Sequence, residues 1–508
     1  MDKDIDIVII GSGAGGGACA SALAPLVAQG LKVAVLEWGP EFRDAEFTGR
    51  ELEMAERLYF DGGGVLTKDK SMTLAFCKAY GGSTVVYTGT TLPIAVDTVE
   101  RWGVPGLQHG DLILRSRKYA LQNNVHALEG HLINENNRLF ERGCKRLGWC
   151  VEQFPLNLKG CQGSGLCNLG CPNAAKQGTH RVQLPAARRA GVEVVTRCRV
   201  SSIDVRTRRI SARVEACDGV GLPSAWAPGE YRIRADAVIV AAGAVNSPAI
   251  LLRSGLGAAL PALGGYFTCH PALILAGVHG RKISNYHGHP KSFFCDEFAA
   301  RKRFLLETCM YFPFTTAKNL AGFGQEHESM MADFSKLQMI LALALDDALR
   351  DNRVSLGRDG EPIVDYRLTE ATLFSLVESM RAAARVMFAA GAASVHAPAG
   401  RDFSIPRSTE ISLDDLINAR YFKQGKVSIS AAHLMGGCRM GKDASDSVTD
   451  SWGQVHGFPW LFVADASLFP KCAEINPYLT IMAMADRVAE AVAARHSEIK
   501  KVNNLAYA

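Results

Sequence analysis

No apolar run in this 508-residue chain approaches the ~18 residues a membrane-spanning helix requires. The longest candidate, Leu337 to Leu345, is interrupted by Gln338 and reads as a core helix or strand. An excess of one charge is also missing: 56 Lys and Arg stand against 51 Asp and Glu. The basic residues are scattered, apart from short clusters such as Arg301-Lys302-Arg303, so there is no nucleic-acid footprint. No signal peptide or twin-arginine leader precedes the first apolar residues, so the expected location is the cytoplasm, with export on a partner subunit left open. Without a leader, the 14 cysteines do not read as a disulfide framework. Internal repeats and low-complexity linkers are absent. So is a G-x-S-x-G elbow, which leaves Ser83 and Ser467 without a nucleophile motif. The length calls for more than one domain.

What is present begins ten residues into the chain. An apolar run, Ile5 to Ile10, leads into Gly11-Ser12-Gly13-Ala14-Gly15-Gly16-Gly17 and a stretch of small residues. A second apolar run, Val33 to Leu36, ends at Glu37. Strand, glycine turn, helix, strand and acid together form a dinucleotide-binding unit. The turn lets backbone N–H groups reach a pyrophosphate at a helix N-terminus, and the acid accepts a ribose hydroxyl. The spacing does not separate NAD from FAD. Glu37 follows Gly11 by 26 residues, somewhat beyond the usual ~20. Pro25 should shorten or kink the helix. Further on, 134–148 and 368–391 read as helices, 192–200 and 209–216 as strands, and Ala235 to Ala242 as a buried parallel strand. Residues 477–494 read as a closing helix with Pro477 in its first turn.

Three further blocks carry chemistry. They are His433-Leu-Met-Gly-Gly-Cys-Arg-Met-Gly441, Val463-Ala-Asp465-Ala-Ser467-Leu-Phe-Pro470 and Asn476-Pro-Tyr-Leu-Thr480. Together with the glycine turn, Gly81-Gly82-Ser83-Thr84 and Ala242-Gly-Ala-Val-Asn-Ser-Pro248, they resemble the glucose–methanol–choline (GMC) family of flavin oxidoreductases. Asp359-Gly-Glu-Pro-Ile-Val-Asp-Tyr366 and Ala175-Lys-Gln-Gly178 look closest to its long-chain alcohol oxidase branch.

The resemblance implies an α/β fold. A Rossmann-type FAD-binding domain would be assembled from residues 1–265 and 425–508, with an α+β substrate domain built on an antiparallel sheet inserted at 266–424. It implies FAD rather than NAD. Gly11, Gly13, Gly16 and Glu37 would hold the ADP half, Val200 would lie near the adenine, and Gly82 and Ser83 would face the pyrophosphate and flavin. Asp465 would meet the ribityl chain. Tyr87 stands where the family often has Asn. His433 and Asn476 match the catalytic pair. An alcohol yields a hydride only as its hydroxyl proton leaves, so an imidazole suits the base and an amide suits the group holding the oxygen. Asn476 also fits a helix N-cap before Pro477.

Cys161-Gln-Gly-Ser-Gly-Leu-Cys167-Asn-Leu-Gly-Cys171-Pro172 places three thiols on a glycine-rich loop, 161–172, in C-x5-C-x3-C-P spacing. That pattern suits a soft metal centre. It also resembles flavin glucose dehydrogenases of the same family that carry a three-iron cluster. Cys161, Cys167 and Cys171 are therefore candidate ligands of a [3Fe–4S] cluster passing electrons to a partner subunit, with Cys150 or Cys144 as a fourth ligand for a larger cluster. Packing thiols, or an incomplete zinc knuckle, remain the alternatives. His270-Pro271 and His287-Gly-His289 read as loop contacts, and the aromatics of 293–314 as core with some at an entrance. The expected activity is FAD-dependent oxidation of an alcohol to an aldehyde or ketone. Apolar alcohols are favoured, sugars stay open, and a redox-neutral cyanohydrin-type lyase is the alternative.

Overall fold

The computed structural model describes residues 1–320, 322–423 and 426–505, so the domain boundary expected at 424/425 lies outside the described residues. The first strand, β1 (Asp2–Ile10), carries Ile7, Val8, Ile9 and Ile10 into the core at 0–3% exposure. α1 (Ala14–Leu23) follows the glycine turn, and β2 (Val33–Leu36) is fully buried. Pro25 acts as expected: α1 stops at Leu23 and the chain tightens into a 3₁₀ segment, Ala24–Gln29, closed by Gly30 at φ +87°.

The remaining strands of this first sheet are β3 (Glu193–Val195), β4 (Cys198–Asp204), β5 (Arg209–Val214) and β6 (Gly229–Val240). Their order is β3-β2-β1-β6-β5-β4. β6 is longer than its apolar run because its first half alternates buried and exposed residues. That half pairs antiparallel with β5, while its last three residues pair parallel with a strand near the C-terminus. A long strand thus serves two neighbours along one edge and opens a crevice at its carboxyl end, where ligands bind in α/β sheets.

α2 (Gly243–Arg253) follows β6 with Pro248 in its interior. The second sheet is built around β7 (Ala272–Val278), β8 (Phe304–Thr308) and β9 (Leu337–Ala344), all antiparallel. The ambiguous run at 337–345 is therefore strand, with the Gln338 Oε1 2.9 Å from His279 Nε2. α3 (Glu370–Ala390) is capped by Thr369, whose side chain accepts from Thr372 N, and ends at Gly391 in the left-handed region. It lays its apolar stripe on this sheet. Short pieces at 65–66, 72–74, 152–153, 293–295, 394–396 and 405–406, together with β10 (Ile429–Ala431), complete the sheet, so its strands come from both sides of 266–424. β11 (Leu461–Val463) is the strand that joins the end of β6. α4 (Tyr478–Leu505) closes the described chain and packs on α1. Among the described residues, no helix is long and apolar enough to cross a membrane.

Candidate active site

The crevice between the two sheets is one cavity of about 470 Å³, within the ~300–1,000 Å³ of ordinary ligand sites. One end is the glycine turn. Gly11 sits at φ +101°, and a Cβ there would meet Ala241 O at 2.4 Å. At Gly15 a Cβ would lie 1.7 Å from Ala464 O, so α1 can meet the end of β11 only without a side chain. Gly16 packs on the Gly11 carbonyl and does not line the cavity. Gly11, Gly13, Glu37, Gly82, Ser83, Val200 and Asp465 all line it.

Ser12, which the sequence pattern passes over as a spacer, ties this end together. Its N–H and hydroxyl both donate to Glu37 Oε2, at 2.9 and 2.6 Å, and its Oγ accepts from Gly81 N at 2.8 Å. Gly39 N donates to the other oxygen, Oε1, at 2.6 Å. Burial pushes the Glu37 carboxyl up, and these donors pull against that shift. Asp465 caps the short turn after β11 by accepting from Ser467 N at 2.8 Å. Its second oxygen takes Gly243 N and the Ser247 hydroxyl, so it orients the N-terminus of α2. The indole N–H of Trp38, beside Glu37 on the cavity wall, has no partner among the described atoms. A hairpin-free glycine turn, a buried acid with a shared oxygen and an unspent indole donor all fit the adenosine half of a dinucleotide.

The other end holds His433 and Asn476, 43 residues apart in sequence. Asn476 Nδ2 is 3.4 Å from His433 Nε2, and Asn476 Oδ1 is buried without a partner. Burial, with the positive charge of Lys291 second, lowers His433 to about 3, so the ring is neutral. Lys291 pairs with buried Glu307. His270, read from the sequence as a loop contact, is part of the site. Its Nδ1 lies 2.9 Å from His433 Nδ1, and its Nε2 lies 3.0 Å from Cys472 Sγ. His270 ends the approach to β7 and His433 follows β10, and these two strands are neighbours in the second sheet. That pairing and the Thr268–Met435 bridge, both long-range, bring the rings together, so no local spacing revealed it. Tyr87 meets Tyr478 with the rings tilted at 42° and centroids 4.8 Å apart, and its hydroxyl accepts from the Asn157 amide. The lining also includes Tyr59, Phe76, Met310, Tyr311 and Phe314, together with the charged Glu51, Lys78 and Lys318, while Phe60 packs on Trp38. Of the aromatics in 293–314, Phe293 and Phe294 are core, while Tyr311 and Phe314 reach the cavity.

The cysteine loop differs from expectation. Among the described residues, the one set of three His, Cys, Asp or Glu ligand atoms within 4.8 Å of one another is Asp6, Asp236 and His496. Cys161, Cys167 and Cys171 are not gathered in this way. Cys161 packs on the cluster of Leu128, Leu132 and Phe154, and burial lifts both its thiol and that of Cys167, the latter to about 12. Cys144, a proposed fourth ligand, is instead hydrogen-bonded to Cys295. The structure therefore does not support the [3Fe–4S] ligand set: the three thiols are near enough to act on one another electrostatically, but their sulfurs do not all lie within 4.8 Å of one another. What organises the loop is Lys176, 1% exposed, whose ammonium donates to the carbonyls of Val85, Tyr87 and Cys167 at 2.5–2.7 Å. His289, from the other discounted pair, bonds the Lys291 backbone at 2.8 Å.

A Rossmann-type sheet whose crevice continues into a histidine–amide pair defines a nucleotide-dependent oxidoreductase. GMC oxidoreductase family models match residues 55–272 and 348–485. An uncharacterized GMC-type oxidoreductase of Mycobacterium tuberculosis is 32% identical over 96% of this chain and 76% of its own length. A long-chain-alcohol oxidase of Arabidopsis thaliana is 27% identical over 98% of this chain and 68% of its own. Formate oxidase of Aspergillus oryzae shares the fold at TM-score 0.71 and 14% identity, covering 98% of this chain and 99% of its own. The chain belongs to the GMC oxidoreductase family.

Proposed function

We propose that this chain binds FAD and oxidises an alcohol to an aldehyde or ketone. One observation carries the reading: the His433 imidazole and the Asn476 side-chain amide, 3.4 Å apart, stand in the cavity that begins at the dinucleotide turn. In this reading Gly11, Gly13, Glu37 and Val200 hold the adenosine half, with Gly16 supporting the turn. Gly82, Ser83 and Asp465 hold the pyrophosphate and ribityl chain. Segments 1–265 and 425–508 supply that half of the site, and 266–424 contributes Met310, Tyr311 and Phe314 to a substrate half that Tyr59 and Phe76 share. FAD supplies a hydride acceptor at N5.

His433 accepts the hydroxyl proton at Nε2. The Asn476 amide donates to the alcohol oxygen and fixes the carbinol carbon in place, which shortens the search for a reactive geometry. The side chains of Tyr59, Phe76, Met310, Tyr311 and Phe314 suit an aliphatic chain, in keeping with the long-chain-alcohol oxidases among the relatives. Electron exit through a cluster at Cys161, Cys167 and Cys171 to a partner subunit has no support in the thiol placement and forms no part of this reading. The test is anaerobic mixing of the yellow protein with a panel of alcohols and sugars. Bleaching by a primary alcohol supports the reading. A redox-neutral lyase would leave the flavin yellow under every substrate.

A further inference from the structure

His270 and Cys472 stand behind His433 in a line that the reaction above leaves unexplained. Two Nδ1 atoms 2.9 Å apart share one hydrogen, so one ring donates and the other accepts. Burial keeps both rings neutral, and each therefore carries a single ring proton. Cys472 decides the direction. Its sulfur already accepts the backbone N–H of Glu474 at 3.4 Å, and it lies 3.0 Å from His270 Nε2. A sulfur set among donors receives the Nε2–H of His270. His270 Nδ1 is then an acceptor, His433 Nδ1 carries the hydrogen, and His433 Nε2 is bare where the Asn476 amide points at it. The opposite order, with the thiol donating, would put an N–H on His433 Nε2, facing the N–H of Asn476.

We propose that His270, anchored by Cys472, is a positioning residue that keeps the proton of neutral His433 on Nδ1, so that Nε2 is the base. The proposal rests on the alcohol-oxidation reading only for its kinetic arm. In the step itself the alcohol O–H breaks, an Nε2–H forms on His433, and the hydride leaves from carbon. His433 becomes an imidazolium whose Nδ1–H still donates to His270, which exchanges no proton. The charged groups bearing on the pair are Lys291, Glu307 and Arg303, and none of them is hydrogen-bonded to either ring.

The test compares holoenzymes of wild type, His270→Asn, His270→Leu and Cys472→Ala. Asn places its Oδ1 where the imidazole carries Nδ1, and so keeps the acceptor; Leu removes it. With ring ¹⁵N-labelled histidine, the His433 resonances (assigned by their loss in His433→Gln) should report the Nδ1–H form in wild type and His270→Asn. They should report loss of that form in His270→Leu. Anaerobic flavin bleaching by the best alcohol should slow on the order of 10- to 100-fold in His270→Leu, with the substrate concentration for half-maximal rate little changed. It should recover to within a fewfold in His270→Asn. Cys472→Ala should fall between, with its His433 proton distributed over both nitrogens.

A wild-type ring protonated on Nε2 overturns the proposal. So does a His270→Leu protein that keeps both the wild-type tautomer and the wild-type rate. If His270→Leu fails to fold, the wild-type spectrum and His270→Asn decide. If no alcohol bleaches the wild type, the alcohol reading falls while the tautomer result still stands or falls alone.

Discussion

Glu37 meets two donors from Ser12 in the turn and one from Gly39, and a glutamine there can accept on only one side. Glu37→Gln should weaken FAD retention about 10- to 100-fold, the worth of one charged hydrogen bond, as read by fluorescence of released flavin. Retention equal to wild type would mean the acid does not serve the cofactor. His433→Asn should keep the flavin and slow its reduction by at least about 10²-fold, since it removes the base and leaves the pocket. Because burial and Lys291 hold His433 at about 3, the ring is already a base at pH 5. The pH profile of kcat/KM should therefore show no acid limb near 6.5, and a limb there would contradict the placement. Most of these residues were legible because their motifs are contiguous. His270 was not, because 163 residues separate it from His433 and only long-range pairing joins them. Ser12 was hidden for another reason: a hydroxyl between glycines looks like filler until Glu37 and Gly81 are seen to share it.

α1 shows how tightly one element is committed. Gly15→Ala would set a methyl 1.7 Å from the Ala464 carbonyl, pushing the helix off the end of β11. The variant should lose about 1–3 kcal/mol in urea unfolding and part of its flavin. Unchanged stability would mean that the helix can shift freely. The glycine turn, α1 with its proline stop, and α3 with its cap were readable, since each has a local period and a local terminator. The run at 337–345 was ambiguous because a fully buried strand has no alternation to display. The two- and three-residue strands at 65–66 and 72–74 have no pattern at all and exist only through their neighbours. The cysteine loop is where the spacing finds no support in the structure. Spacing suited to ligands also suits a loop held by a buried lysine through the Cys167 carbonyl. Purified protein should hold no stoichiometric iron, and Lys176→Met should loosen the 82–87 segment and lower flavin content. About three irons per chain would restore the cluster.

Two sheets share one crevice, and the chain passes between them several times, so the cofactor end and the histidine end should unfold together. The neutral, buried histidines give that unfolding a pH dependence. His433 and His180 are held at about 3, and His289 and His396 at about 4. In the unfolded chain each titrates near 6.5. Below that value the unfolded state binds more protons, so stability is whole above pH 6.5 and declines with acid, by up to about 1.4 kcal/mol per pH unit for each histidine. The urea midpoint should fall between pH 7.5 and pH 5; an unchanged midpoint would contradict the buried, neutral placement. The discontinuous nucleotide domain was foreseeable from motifs at both ends of the chain. The breadth of the second sheet was not, because it borrows short strands from outside 266–424. The decisive measurement is anaerobic stopped-flow reduction with a primary aliphatic alcohol and its carbinol-deuterated form. The flavin should bleach in a single turnover and more slowly with deuterium. A protein that stays yellow, or that comes out colourless and takes up no FAD, would refute a hydride-accepting site beside His433.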